Sequence, residues 1–253
     1  MGKELATVDT KDFLVLIKDL DELKGIVAAN LGTGQVSPFE LDQLKLPAGG
    51  GKSWDIPTLS GTQSEKTVDA IIVAWNDCRG YWPGEFGGSE PPVCSSNDSV
   101  TGYGEPGGIC RDCPLAEFGS SGKGQACKEM RRLYLLMPGE LFPIRLTLPP
   151  TSIKACSRFF LRLSSKMIPH WNIVARLGLE EKRNATNISY SVVTFEAVAQ
   201  LNDEEIARVE GYREMLKPLL ATSAPVEGKE YFTDREPAEA DVSFTEGEPT
   251  EAE

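Results

Sequence analysis

Histidine is almost absent from this chain: His170 is the one histidine among 253 residues. It follows Pro169 and stands beside Trp171, too isolated in sequence to suggest catalysis. No paired carboxylates and no nucleophile beside a base are recognisable, so nothing in the sequence points to an enzyme. The stretch Pro47-Ala-Gly-Gly-Gly-Lys-Ser53 approaches a phosphate loop. That motif needs a glycine where the chain has Leu46, so the stretch reads as a glycine-rich connection into a strand over 53–59. Long apolar runs are missing too. No stretch of about 18 apolar residues is present, which excludes a membrane-spanning helix. The opening MGKELATVDTKD has no apolar core of a secretory signal. The expectation is a cytoplasmic protein whose six cysteines are thiols or metal ligands rather than disulfides.

The net charge of −12 argues against a nucleic-acid partner only until it is resolved along the chain. Residues 110–183 hold 13 basic and 6 acidic side chains, a net of +7. The flanks are acidic: 1–109 is at −8, 184–220 at −3 and 221–253 at −8.

Apolar periodicity and turn signals give the organisation. An amphipathic helix is expected within 1–36, from Phe13, Leu16, Leu20, Leu23, Ile26 and Val27. A buried strand follows at 67–76. The stretch 77–130 has too few apolar residues for a core of its own, so something else must order it. Strands at 132–137 and 142–148 flank the turn Pro138-Gly139. A helix capped by Thr151 or Ser152 carries the stripe Ile153, Cys156, Phe160, Leu163 and Met167. Strands at about 171–181 and 188–199 precede a last helix, which opens with Asn202 and Glu205 in capping-box positions. A helix between the third and fourth principal strands is the layout of an OB-fold. The fold class expected is therefore α+β, mainly β: an OB-fold-like barrel over 37–220 with a metal-binding insertion. Residues 221–253, with scattered apolar positions including Phe244 between Asp241 and Glu246, read as a disordered acidic tail able to dock a protein partner.

Within the irregular stretch, Cys110-Arg-Asp-Cys113 is a CxxC pair, with Cys94 sixteen residues before it and Cys127 fourteen after. Four thiolates around one Zn²⁺ would order a coreless loop. Cys78 is an alternative to Cys94, whereas Cys156 lies on a helix stripe and reads as core. A redox role for the CxxC pair lacks the surrounding βαβ pattern.

The basic block has internal order. Lys154, Arg158, Arg162 and Lys166 recur every four residues and form one ridge, whose mutual repulsion a polyanion would relieve. Arg131, Arg132, Arg145 and Arg176, with Lys123 and Lys128 beside the cysteine loop, extend the electropositive face. Single strands need flat groups on which bases stack. Trp75, Tyr81, Trp82, Tyr103, Phe118, Tyr134 and Trp171 are candidates, with Arg79, Tyr81 and Trp82 at a strand end the foremost.

The runs Pro91-Pro-Val-Cys-Ser-Ser-Asn-Asp-Ser99, Gly107-Gly-Ile-Cys-Arg-Asp-Cys-Pro114 and Gly119-Ser-Ser-Gly-Lys-Gly-Gln-Ala-Cys-Lys-Glu-Met-Arg-Arg132 resemble a family of bacteriophage-encoded proteins. Its members are described as single-stranded DNA-binding or uncharacterised. The likeness spans roughly residues 35–200. Through better-known phage replication proteins of this type, it implies an OB-fold, a zinc insertion and an acidic tail, in the cytoplasm of an infected bacterial host. Metal sites of those proteins can include a histidine; this chain has none in the loop. The leading expectation is a non-catalytic protein that binds single-stranded DNA in replication or recombination. The alternatives are a zinc-ribbon transcription or recombination accessory factor, which would bind duplex DNA or a protein partner, and a structural or host-interaction phage protein.

Overall fold

The computed structural model describes residues 10–18, 20–32, 40–84, 91–185 and 187–221. The acidic tail expected at 221–253, Phe244 included, lies outside them beyond Ala221. In chain order the elements are α1 (Leu14–Ile17), α2 (Leu20–Leu31), β1 (Gln43–Leu44), β2 (Trp54–Thr58), β3 (Gly61–Glu65) and β4 (Thr67–Tyr81). Next come β5 (Cys94–Ser96), β6 (Thr101–Gly104), β7 (Gly108–Ile109), β8 (Cys127–Leu136) and β9 (Ile144–Leu148). The last are α3 (Pro150–Ser164), β10 (Ile173–Arg183), β11 (Ser189–Gln200) and α4 (Asp203–Ala221). Among the described residues no helix is long and apolar enough to cross a membrane.

Strand β4 organises the rest. The expected strand ends at Asn76, but the chain stays extended to Tyr81 because β8 partners it throughout and β5 joins its other edge at 79–81. One edge pairs with β8 from Ile71 to Tyr81; the other pairs first with β10 and then, at residues 79–81, with β5. The main sheet runs β11-β10-β4-β8-β9-β1, antiparallel except for β1 on β9, while β5, β6 and β7 extend from the far end of β4. Alternation sends Val68, Ala70 and Ile72 to one face and Ile71 and Val73 to the other. Helix α3 covers the first face with Cys156, Phe159 and Leu163. Phe13, Leu16, Val209, Tyr212 and Leu216 cover the second. A strand buried on both faces explains the unbroken apolar run Ala70–Ala74.

The sheet is open. β9 and β11, the edges that would have to meet to close a barrel, do not pair among the described residues. The glycine-rich connection occupies the gap: β1 pairs with β9 in parallel, and Ser191 on β11 donates to the Gly51 carbonyl at 2.8 Å and lies 3.1 Å from that of Pro47. Gly50 has φ +81°, and a β-carbon there would stand 2.8 Å from Cγ of Glu181. The stretch that approaches a phosphate loop in sequence is a strap between sheet edges.

The expected N-terminal helix is broken at Lys18, which is extended (φ −102°, ψ 153°). Phe13, Val15 and Leu16 enter the core, whereas Ile26 and Leu31 on α2 stay exposed. The capping box of α4 forms as expected: Glu205 N–H donates to Asn202 Oδ1 at 3.0 Å, and Asn202 N–H to Glu205 Oε2 at 2.8 Å.

Candidate functional site

Because β4 and β8 run on to residues 81 and 127, the irregular insertion is shorter than 77–130. The described side chains it buries are Trp82, Cys94, Ser96 and Cys110. Thiols therefore make up half of a small interior, while Val93, Val100, Tyr103, Ile109 and Phe118 are exposed.

The four cysteines converge from three directions. Tyr81 is opposite Cys94 on β5 and opposite Cys127 on β8, so both cysteines flank one residue of β4. Cys110 approaches Cys94 over Gly102: a β-carbon on Gly102 would lie 3.2 Å from Cys94 Sγ and 3.6 Å from Cys110 Sγ. A tight turn returns Cys113 to Cys110, with Cys113 N–H donating to the Cys110 carbonyl at 3.3 Å. Asp98 pins the β5–β6 connection by accepting from Ser96 Oγ, Val100 N–H and Thr101 N–H. Those two backbone donors hold its carboxyl below the usual range. Gly104 (φ +109°) stands opposite Cys94 at the open end of this hairpin, where a β-carbon would lie 2.1 Å from the Val93 carbonyl oxygen.

Burial pushes the Cys127 thiol up to about 11; Arg79 opposes that rise, and Cys110, Cys94 and Cys113 add to it. The four thiols thus share one electrostatic neighbourhood, and none is in a disulfide. Among the described residues, no three His, Cys, Asp or Glu side chains are gathered tightly enough to hold a metal ion as they stand. Cys78, opposite Met130, alternates to the other face of β4 from Tyr81 and so is no substitute for Cys94. Cys156 is buried on the sheet-facing side of α3, where burial pushes its thiol up to about 11.

The basic residues separate into two groups. Lys154, Arg158, Arg162 and Lys166 are all exposed and, with Lys123, make no hydrogen bond or ion pair among the described residues. Lys166 lies in the turn after α3, so the helical ridge proper ends at Arg162.

The remaining cations are committed to the fold, which corrects the broader electropositive face expected from sequence. Arg132 and Arg145 are 0% and 1% exposed, on the opposite face of the sheet from α3 beside Tyr134, and present no charge to solvent. Arg131 grips Asp77, and Arg176 grips Asp69 through two bonds of 2.7 Å. Arg79 pairs with Glu129 at 3.6 Å. Lys128 donates to the Gln125 carbonyl at 2.5 Å.

Several expected stacking groups are also spoken for. Trp82 is buried against Gly80 and Met130. Trp171 lies 3.6 Å beneath the Arg213 guanidinium and joins β10 to α4. Tyr134 is core, and Tyr81 is half-buried among the cysteines. Trp75 is partly exposed under Arg131 (4.4 Å). Tyr103 and Phe118 are the open rings, 69% and 82% exposed.

A groove of about 530 Å³ separates the insertion from the β10–β11 hairpin. Phe118 and Lys128 line one wall, Ile188 and Tyr190 the other, and Pro149-Pro150-Thr151 at the start of α3 lies between them. The groove therefore adjoins the end of the helix that carries the ridge. Tyr190 and Ile188 carried no signal in sequence, because a polar turn hides which face its flanking residues take. Known protein families, curated proteins and solved structures give no match to this chain.

Proposed function

We propose that this chain is a non-catalytic protein that binds single-stranded DNA along the exposed face of α3 and the adjoining groove. The observation that carries the reading is the set of four exposed cations at Lys154, Arg158, Arg162 and Lys166 that have no partner among the described residues, in a molecule that neutralises or buries most of its other described basic groups. Like charges four residues apart repel by a few tenths of a kcal/mol per pair, and a phosphate backbone turns that cost into attraction. Phe118 and Tyr190 at the groove supply stacking surfaces, each worth about 1–3 kcal/mol per base.

The succession β4, β8, β9, α3, β10, β11 follows the strand and helix order of an OB-fold left open at one seam, with the cysteine insertion in the first hairpin connection. In this reading Cys94, Cys110, Cys113 and Cys127 hold Zn²⁺. The donor set fits the metal: four soft thiols, three of them buried, lie in and beside a segment whose other buried side chains are only Trp82 and Ser96. Closure of neighbouring thiols on the ion supplies the ordering energy that the loop lacks.

Titration of a fluorescent oligothymidine and of an equally long duplex, each at several salt concentrations, tests the reading. Tighter binding of the single strand is expected. Equal or tighter duplex binding favours an accessory factor, a role consistent with the exposed Val93, Val100 and Ile109 on the insertion. No binding of either at low salt rejects a nucleic-acid role.

A further inference from the structure

We propose that Arg79 is the positioning residue of the thiolate centre, donating hydrogen bonds to its sulfurs and supplying its counter-charge. This rests on the reading that the four cysteines take zinc. Arg79 and Tyr81 share one face of β4, and Tyr81 is flanked by Cys94 and Cys127. Arg79 is therefore diagonal to both cysteines, about 7–8 Å between backbones and within reach of a long side chain. Its direct partners across the strands are Ser96 and Glu129.

The guanidinium is only partly used. One terminal nitrogen, Nη2, faces the Glu129 carboxylate at 3.6 Å. Nε and Nη1 are buried and have no acceptor among the described residues. Buried donors are almost always satisfied in native proteins, so two idle ones on a single side chain call for an acceptor. Thiols accept hydrogen bonds weakly; thiolates accept them well, and a centre of four thiolates on Zn²⁺ carries a net charge of −2. Metal binding would create the acceptors these donors lack. The guanidinium would also offset part of the negative charge in a partly buried place. Partners outside the ligand set that act in this way typically change metal affinity 10- to 100-fold.

The test uses the full chain loaded with zinc, with chelator competition at several pH values, and with Co²⁺ in place of zinc to read thiolate coordination by its charge-transfer band. Arg79→Gln should weaken zinc binding about 10- to 100-fold. It should also raise the pH at which zinc is released, because protons compete better for thiolates without a neighbouring cation, while the four-thiolate cobalt spectrum persists. Arg79→Lys, which keeps the charge and loses the fork, should fall between the two and guards against a glutamine variant that does not fold. Glu129→Gln should leave zinc affinity at or above the wild-type value. Wild-type affinity and pH profile in both Arg79 variants would overturn the role of Arg79 alone. A wild-type chain that purifies and reconstitutes without zinc would overturn the cysteine reading beneath it.

Discussion

Arg131 and Asp77 meet across the β4–β8 pairing in a two-pronged ion pair, Nε to Oδ1 at 2.7 Å and Nη2 to Oδ2 at 3.1 Å. The same guanidinium lies over Trp75 and donates from Nη1 to Ser157 on α3 at 3.1 Å. It therefore ties the helix to the sheet instead of facing a ligand. Asp77→Ala leaves this cation without its carboxylate and should cost about 2–3 kcal/mol, the scale of a hydrogen bond to a charged group. Denaturant unfolding should show a lower midpoint at unchanged slope, and the salt dependence of DNA binding should not move.

His170 gives the fold a pH dependence. Burial pushes its imidazole down to about 4, Arg213 acting in the same direction, against an ordinary value of 6.5. Its ring packs on Phe160 and against Trp171, and its Nε2 is buried with no partner among the described residues. Between about pH 6.5 and 4 the unfolded chain binds the proton that the folded chain refuses, so stability is fully present above 6.5 and falls as pH drops through this window. The loss is on the order of 3 kcal/mol at most. Thermal melts from pH 7 to 4.5 should show it, and His170→Phe should flatten the curve over that range.

Much of the fold was legible because its signals are local. The Asn202–Glu205 capping box, the Pro138-Gly139 turn, the polar β10–β11 turn and the amphipathic α3 all lie where residue chemistry puts them. What the sequence hid was tertiary. Arg131 and Arg132 are adjacent, so alternation sends them to opposite faces, and a sheet covered on both sides lets neither act as a surface cation. β3, with the sequence GTQSE, has no apolar residue to betray a strand and is exposed throughout. Met167 fits the periodicity of the α3 stripe but follows the helix in a left-handed turn (φ 58°), 91% exposed, while Phe159 takes the core position. The cysteine spacing is plain in the sequence; that Cys94 and Cys127 lie on strands to either side of Tyr81 is not.

Zinc held by Cys94, Cys110, Cys113 and Cys127, as proposed, should be inseparable from the folding of the insertion. Purified protein is expected to contain close to one zinc per chain, and Cys110→Ser should lower both zinc content and folded yield. Cys78→Ser, on the opposite face of β4, should leave zinc content unchanged. Zinc lost in Cys78→Ser and retained in Cys110→Ser would reverse the assignment.

Residues 221–253 carry a net charge of −8 on the same chain as the +7 block of 110–183. A covalently attached polyanion competes with DNA at high effective concentration. Truncation after Leu220 should therefore tighten single-strand binding at low salt, and the gain should fade as salt screens the attraction. Equal affinities at low ionic strength would reject this competition.

The α3 ridge is proposed to carry the nucleic-acid contacts, and the salt dependence of oligothymidine affinity for Arg158→Ala/Arg162→Ala decides whether it does. Both side chains are exposed and unpartnered among the described residues, so folding stability should be preserved. Each phosphate contact removed on a single strand releases fewer counterions and should shrink the log–log slope by about 0.7, or about 1.4 for the pair. A weaker affinity with that flattened slope is the predicted result; wild-type affinity and slope in the double variant would contradict the account.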